Sequence, residues 1–135
     1  MLDASVTLAW AFEDEADGYS DSVLGALANG EAVAPGLWSL EVANVLAVGE
    51  RRGRLTPADS ARFVALLESL PIRVEIAPES MGEIVTLARE THTSAYDAAY
   101  LALAMRRGLP IATRGAALAE AASTRGVAVF GVGDE

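Results

Sequence analysis

Residues 93–104 read TSAYDAAYLALA, and the remainder of the chain is organised around this stretch. Ser94 belongs to the residue types that cap helices, and the body that follows is apolar on every side as far as Arg106. Such a pattern is typical of a helix packed inside an α/β domain. Asp97 interrupts it near the first turn, on the same helical stripe as Tyr100. The stretch therefore predicts a buried helix with an inward-facing carboxylate.

Two interpretations of Asp97 are open at this point. In the first, Ser94-x-x-Asp97 is a capping box, and the helix dipole favours the carboxylate by about 0.3–1 kcal/mol. In the second, the acid is held at a helix N-terminus so that it faces a cation. The second interpretation requires that other acids elsewhere in the chain interrupt apolar patterns in the same way.

The composition predicts one domain with apolar surface to cover. The chain has 135 residues, 52% of them hydrophobic, and a mean hydropathy of +0.29, with much of the excess present as alanine. We expect a partner or a second copy to cover part of this surface, which predicts a homodimer. No apolar run reaches the ~20 residues of a membrane span, and the first residues lack the basic start of a signal peptide. A cytoplasmic protein without a membrane partner is expected.

Residue usage excludes several chemistries. The chain contains no Cys, its ten basic residues are all Arg, and His92 is its only histidine, for which capping or packing is the expected role. Thiolate nucleophiles, Schiff-base lysines, P-loop lysines and histidine metal clusters are therefore excluded. Carboxylates, hydroxyls and a hard cation such as Mg²⁺ or Mn²⁺ remain. The net charge of −9 argues against nucleic-acid binding over the whole surface but allows a local arginine cluster.

Two further acids stand out. Asp3 follows a very short predicted strand, where it is either the N-cap of the next helix or part of a site at the carboxyl end of a parallel strand. Glu41 lies on one helical stripe with Val45 and Val48, so that its carboxylate points inward. A buried charge of this kind costs several kcal/mol unless it is compensated. Either a buried arginine or a cation shared with other acids would compensate it.

Alternating strands and helices predict the fold class. Strands are expected at 1–6, 32–34, 72–76, 109–113 and 127–130, with helices between them and an acidic solvated turn at 13–17. This order predicts a single α/β domain over residues 1–130, with a mainly parallel central sheet of about four to five strands flanked by helices. Residues 131–135 are expected to form a C-terminal tail. The arginines at 51, 52 and 54 end a helix, where they either stay solvated or contact phosphate.

Four stretches together resemble the PIN domain, and most closely its branch of VapC-type toxins from type II toxin-antitoxin modules. They are Asp3-Ala4-Ser5 after the first strand, EVANVL at 41–46, YDAAYLALA at 96–104 and LPIAT at 109–113. The resemblance spans nearly the whole chain, with its elements in the same order.

The resemblance implies a metal-dependent endoribonuclease that hydrolyses RNA phosphodiester bonds. Asp3, Glu41 and Asp97 would be the catalytic acids and the ligands of Mg²⁺ or Mn²⁺. Polar support would come from Ser5, Asn44 and Thr113, and Arg114 would meet a substrate phosphate unless it is a solvated loop arginine. The implied partners are RNA and a cognate antitoxin protein.

One position departs from the family pattern. Gly115 stands where members of the family usually carry an Asp, and the loss of one carboxylate is expected to weaken metal binding and impair the enzyme. The alternative is a catalytically disabled PIN domain that binds antitoxin or RNA without turnover. A third possibility is an unrelated α/β ligand-binding domain, in which Asp3 and Asp97 merely cap helices and Glu41 meets an arginine.

Overall fold

The structure of the protein is a computed structural model that describes residues 1–12 and 17–131. Seven helices are found in this part of the chain: α1 (Ala4–Ala9), α2 (Gly18–Ala26), α3 (Gly36–Arg51), α4 (Pro57–Ser69), α5 (Met81–Thr91), α6 (Ala95–Arg107) and α7 (Ala116–Thr124). Two strands, β1 (Ala32–Pro35) and β2 (Ile72–Glu75), complete the fold. Except for Asp17 and Gly131, the predicted acidic turn and C-terminal tail lie outside the described residues.

The sheet is parallel, as predicted, but the expected count of four to five strands is wrong. β1 pairs with β2 from Ala32–Ile72 to Pro35–Glu75, and they are the only two strands among the described residues. The other predicted strands among the described residues form only isolated parallel bridges, which pair Leu2 with Ala112 and Ile111 with Val129.

The missing strands have a physical cause. Asp3 is extended, with φ −90° and ψ 150°, but α1 begins at the next residue, so the first segment ends after Leu2 and not at residue 6. In the 109–113 segment, Pro110 has no N–H to donate to a neighbouring strand. The segments still lie side by side, since Leu2 N donates to Val33 O at 2.8 Å and Asp3 N donates to Ala112 O at 3.0 Å.

Helix α6 lies at the centre of the core, as its sequence predicts. Tyr100, Leu101 and Leu103 are almost completely buried, although Tyr96 on the same helix is 62% exposed. Gly108 ends the helix in the left-handed conformation, with φ 64°. His92 ends α5 with φ 56°, which confirms its expected capping role. Of the helices described, none is long and apolar enough to cross a membrane.

Candidate active site

Asp3 lies at the carboxyl end of the first parallel segment, and its side chain does not cap α1. Its Oδ2 instead accepts a hydrogen bond from Ser5 Oγ at 2.7 Å and another from Thr113 Oγ1 at 2.7 Å. The residue is only 7% exposed. The two hydroxyls therefore fix the orientation of a buried carboxylate. Asp3 occupies the N-cap position of α1, but the prediction that its side chain caps the helix is wrong.

The loop after Thr113 is connected to the same hydroxyls. Gly115 N donates to Thr113 Oγ1 at 2.9 Å, and Arg114 N donates to Ser5 Oγ at 2.9 Å. Each hydroxyl thus accepts from the backbone of the loop and donates to Asp3. This circuit links the start of α1 to the start of α7 across 110 positions of sequence.

Glu41 projects from α3 and is half-buried. The hydroxyl of Tyr100, on α6, donates to Glu41 Oε1 at 2.6 Å. Of the two ways to compensate Glu41, the buried arginine is not found: within residues 1–12 and 17–131, no basic side chain forms an ion pair with Glu41. Burial raises the pKa of Glu41, and the charges of Asp3 and Asp97 raise it further, against the lowering effect of the Tyr100 hydrogen bond.

Asp97 provides only half of a capping box. Its backbone N–H donates to Ser94 Oγ at 3.0 Å, but between these two described residues no bond returns from the Ser94 N–H to the carboxylate. The same sequence pattern at the start of α4 forms the complete box, in which Thr56 N donates to Asp59 Oδ2 at 2.9 Å. The pKa values follow this difference: burial and the charge of Asp3 raise the pKa of Asp97, whereas hydrogen bonds from Thr56 lower the pKa of Asp59.

Three carboxylates from three different elements thus repel one another in the same region. Within the described part of the chain, no arginine pairs with Asp3, Glu41 or Asp97. Oxygen donors with uncompensated negative charge are what a hard divalent cation requires, so the donor set fits such an ion. The side chains are not already spaced as its ligands, because the described residues include no group of three or more acidic or histidine side chains that could hold a metal as they stand.

The sequence of the chain matches a known family. A model of the PIN domain matches residues 1–123. The chain belongs to the PIN domain family. PIN domains are generally nucleases that use divalent metal ions and act on RNA or DNA. No curated protein matches the chain. The resemblance to PIN domains is therefore confirmed, and an unrelated ligand-binding domain is excluded.

At position 115 this PIN domain has room for the acid that the family pattern predicts. Gly115 has φ −83° and ψ 121°, which any residue adopts, and it is the N-cap of α7 without a side-chain bond. A Cβ atom at this position would lie 3.4 Å from Thr113 Oγ1, an ordinary van der Waals contact. Neither backbone conformation nor space requires the glycine.

Two sequence-predicted residues have side chains that do not contact the three acids. Asn44 is exposed on α3, and among the described residues it has no hydrogen bond to any of the three acids; it lines a cavity with Val48 and Arg52. Arg114 Nε pairs with Asp17 Oδ2 at 3.0 Å, which ties the guanidinium to the N-cap of α2.

Sequence reasoning missed two contacts in and near the candidate site. The sequence predicted that Asp17 would be solvated, although Asp17-x-x-Ser20 is an N-cap pattern that signals an ordered carboxylate. It also missed the hydrogen bond from Tyr100 to Glu41. Tyr100 lies three residues after Asp97 on a buried stripe, and a buried phenol usually finds a hydrogen-bond partner, so this position was a signal for such a bond.

Proposed function

We propose that this PIN domain is a metal-dependent endoribonuclease of the VapC toxin type, which hydrolyses RNA phosphodiester bonds. Asp3, Glu41 and Asp97 are the proposed ligands of Mg²⁺ or Mn²⁺. The proposal is supported by the unfavourable electrostatic effect that these acids have on one another. Asp3 and Asp97 raise the pKa of Glu41, Asp3 raises that of Asp97, and no described basic side chain neutralises them.

Each acid has a defined part in this proposal. When bound, the divalent cation would lower the pKa of a water molecule and stabilise negative charge on the reacting phosphate. Ser5 and Thr113 hold Asp3 in one orientation, and Tyr100 holds Glu41. Asp97 has no hydrogen bond to its carboxylate among the described residues, so it is the acid most able to move towards a ligand.

Gly115 favours a second candidate, a catalytically disabled PIN domain that binds antitoxin or RNA without turnover. The chain lacks a fourth carboxylate beside Thr113, and its three acids are not arranged as ligands of one ion. Both features weaken the affinity for a cation. In the leading proposal the enzyme is impaired, and in the alternative it is inactive.

The proposed partners are a second copy of the chain, forming a homodimer, and a cognate antitoxin in the cytoplasm. Large apolar side chains are exposed, including Ile76 at 94%, Met81 at 85% and Leu40 at 69%. α5 has no buried residue along its length. Leu40 precedes Glu41 and the exposed Tyr96 precedes Asp97, so a protein that covers these two side chains would border the acids.

Cleavage of a mixed RNA pool tests the proposal. We expect the chain to cleave with Mn²⁺ and not with EDTA, and Asp97→Ala to be inactive. Gly115→Asp is expected to cleave faster than the chain itself. Cleavage by Gly115→Asp alone would favour the disabled domain. No cleavage by either protein, with melting curves that Mn²⁺ leaves unchanged, would contradict both candidates.

A further inference from the structure

The C-terminal end of α3 carries two arginines that no acid of the described residues pairs with. Arg51 and Arg52 are exposed, and neither forms an ion pair within the part of the chain that the structure describes. Ion pairs do hold six other arginines, namely Arg62, Arg73, Arg106, Arg107, Arg114 and Arg125. In a chain with a net charge of −9, two adjacent arginines without an ion pair among the described residues are well suited to bind an anion.

Helix geometry places Arg52 in line with the candidate active site, and Arg51 beside it at the end of the same helix. Arg52 follows Glu41 by 11 residues, which is close to three full turns, so both lie on one stripe of α3 about 16 Å apart. At about 3.4 Å per stacked nucleotide, this distance corresponds to about five nucleotides of a strand. A polymer held at Glu41 can therefore reach Arg52 along the surface of a single helix.

A cavity lies along this path. It has a volume of about 260 Å³, and Asn44, Val48 and Arg52 line it together with Phe12 and Arg54. The guanidinium carbon of Arg54 is 4.2 Å from the centre of the Phe12 ring, which keeps a third cation at the wall of the cavity. The cavity begins one turn after Glu41, at Asn44, and ends at Arg52.

We infer that this cavity and the arginines at its end bind the substrate strand, with backbone phosphates on Arg51 and Arg52. The inference rests on the proposed function, because it takes the strand to be the RNA that the acids cleave. RNA is favoured over an acidic protein segment because Arg52 aligns with Glu41 on α3 and the amide of Asn44 lies between them. Arg51 and Arg52 contribute to affinity for any sequence, since phosphate contacts carry no base information.

Fluorescence anisotropy with a labelled single-stranded RNA of mixed sequence, in EDTA and again in Ca²⁺, tests the inference without turnover. The double variant Arg51→Ala/Arg52→Ala should bind about tenfold more weakly near 0.15 M salt, because each lost phosphate contact removes about 0.7 from the slope of log K against log salt. The salt slope should fall by about 1.4. Arg89→Ala is the matched control, since Arg89 is exposed on α5 and has no ion pair among the described residues. Its affinity should stay within about twofold of the parent, because it contacts no phosphate on this path.

Equal affinity of the double variant and the parent overturns the inference, as does an equal loss in Arg89→Ala or no binding by the parent in either buffer. Unchanged RNA affinity with lost antitoxin binding would assign the arginines to an acidic protein instead. The proposed function fails separately. If RNA binding depends on the arginines and the chain never cleaves, the strand path stands and the nuclease does not. If the double variant cleaves subsaturating RNA as fast as the parent, the nuclease proposal stands and the strand path does not.

Discussion

Replacing Asp97 by Ala should stabilise the protein in metal-free buffer, whereas the same change at Asp59 should destabilise it. Both residues occupy the third position of a helix that Ser or Thr caps. Asp59 completes its capping box and pairs with Arg62. Asp97 does neither, and the charge of Asp3 acts on it unfavourably. Because Ala improves helix propensity at both positions, the difference between the two variants reports the interactions that each carboxylate makes.

The size of the Asp97 effect follows from its partial burial. A like-charge interaction at a group this exposed is screened by solvent, so its removal contributes about 0.5 kcal/mol to the free energy of unfolding. For a domain of this length, about 0.5 kcal/mol raises Tm by about 2 °C. Asp59→Ala should instead lower Tm, since it leaves the Thr56 N–H without its acceptor.

Divalent metal should reverse the order of the Tm values of the two variants. At a Mn²⁺ concentration of about 100 times Kd, a protein with an intact site gains about 2.7 kcal/mol. This gain corresponds to a rise of about 10 °C for the parent and for Asp59→Ala. Asp97→Ala lacks one ligand and should show almost no rise.

Differential scanning fluorimetry of the parent and both variants, in EDTA and in Mn²⁺, measures all of these shifts. A lower Tm for Asp97→Ala in EDTA would mean that its carboxylate caps α6, as Asp59 caps α4. An equal response of all three proteins to Mn²⁺ would show that Asp97 is not a ligand. Either result would refute the reasoning.

Three other variants test the neighbourhood of these acids. Tyr100→Phe removes the hydrogen bond to Glu41 and should lower the free energy of unfolding by about 2 kcal/mol at pH 7, measured by urea denaturation; a value unchanged from the parent would contradict this role. The raised pKa values of Glu41 and Asp97 mean that the native state binds more protons than the unfolded chain as pH rises through the ordinary range of carboxyl groups. These two acids therefore make the metal-free protein less stable as pH rises. Glu41→Gln should therefore gain stability over the parent with increasing pH in EDTA, and a constant difference would count against the shift. Gly115→Asp should fold like the parent by circular dichroism, because an added Cβ atom meets only Thr113 Oγ1, at 3.4 Å, and it should bind Mn²⁺ more tightly because it adds a carboxylate; a large loss of Tm would show that the loop requires glycine.

Much of the fold was predictable because local patterns determine it. The helix starts at Thr56 and Ser94, the buried character of α6 and the parallel arrangement all follow from spacing and capping residues. The number of strands did not follow, since it depends on how many residues pair across segments far apart in sequence. Leu2 is the example: its segment pairs with Ala112 at one position only, because α1 begins two residues later.

The site shows the same limit more sharply. Thr56-x-x-Asp59 and Ser94-x-x-Asp97 have the same local pattern. Asp59 accepts a hydrogen bond from the N-cap N–H of its own helix, whereas Asp97 does not. Sequence spacing cannot separate them, because the difference comes from the charge of Asp3 and from burial in the folded chain. The hydrogen bond from the Tyr100 hydroxyl to Glu41 could not be assigned from spacing either, because the two residues are 59 positions apart in the sequence.

Isothermal titration of Mn²⁺ into the metal-free protein tests most directly the claim that Asp3, Glu41 and Asp97 together bind a divalent cation. The account predicts saturable binding to the parent, loss of that binding in Asp3→Asn and in Asp97→Ala, and unchanged binding in Asp59→Ala. Binding that survives in both Asp3→Asn and Asp97→Ala, or no saturable binding to the parent and to Gly115→Asp, would contradict it.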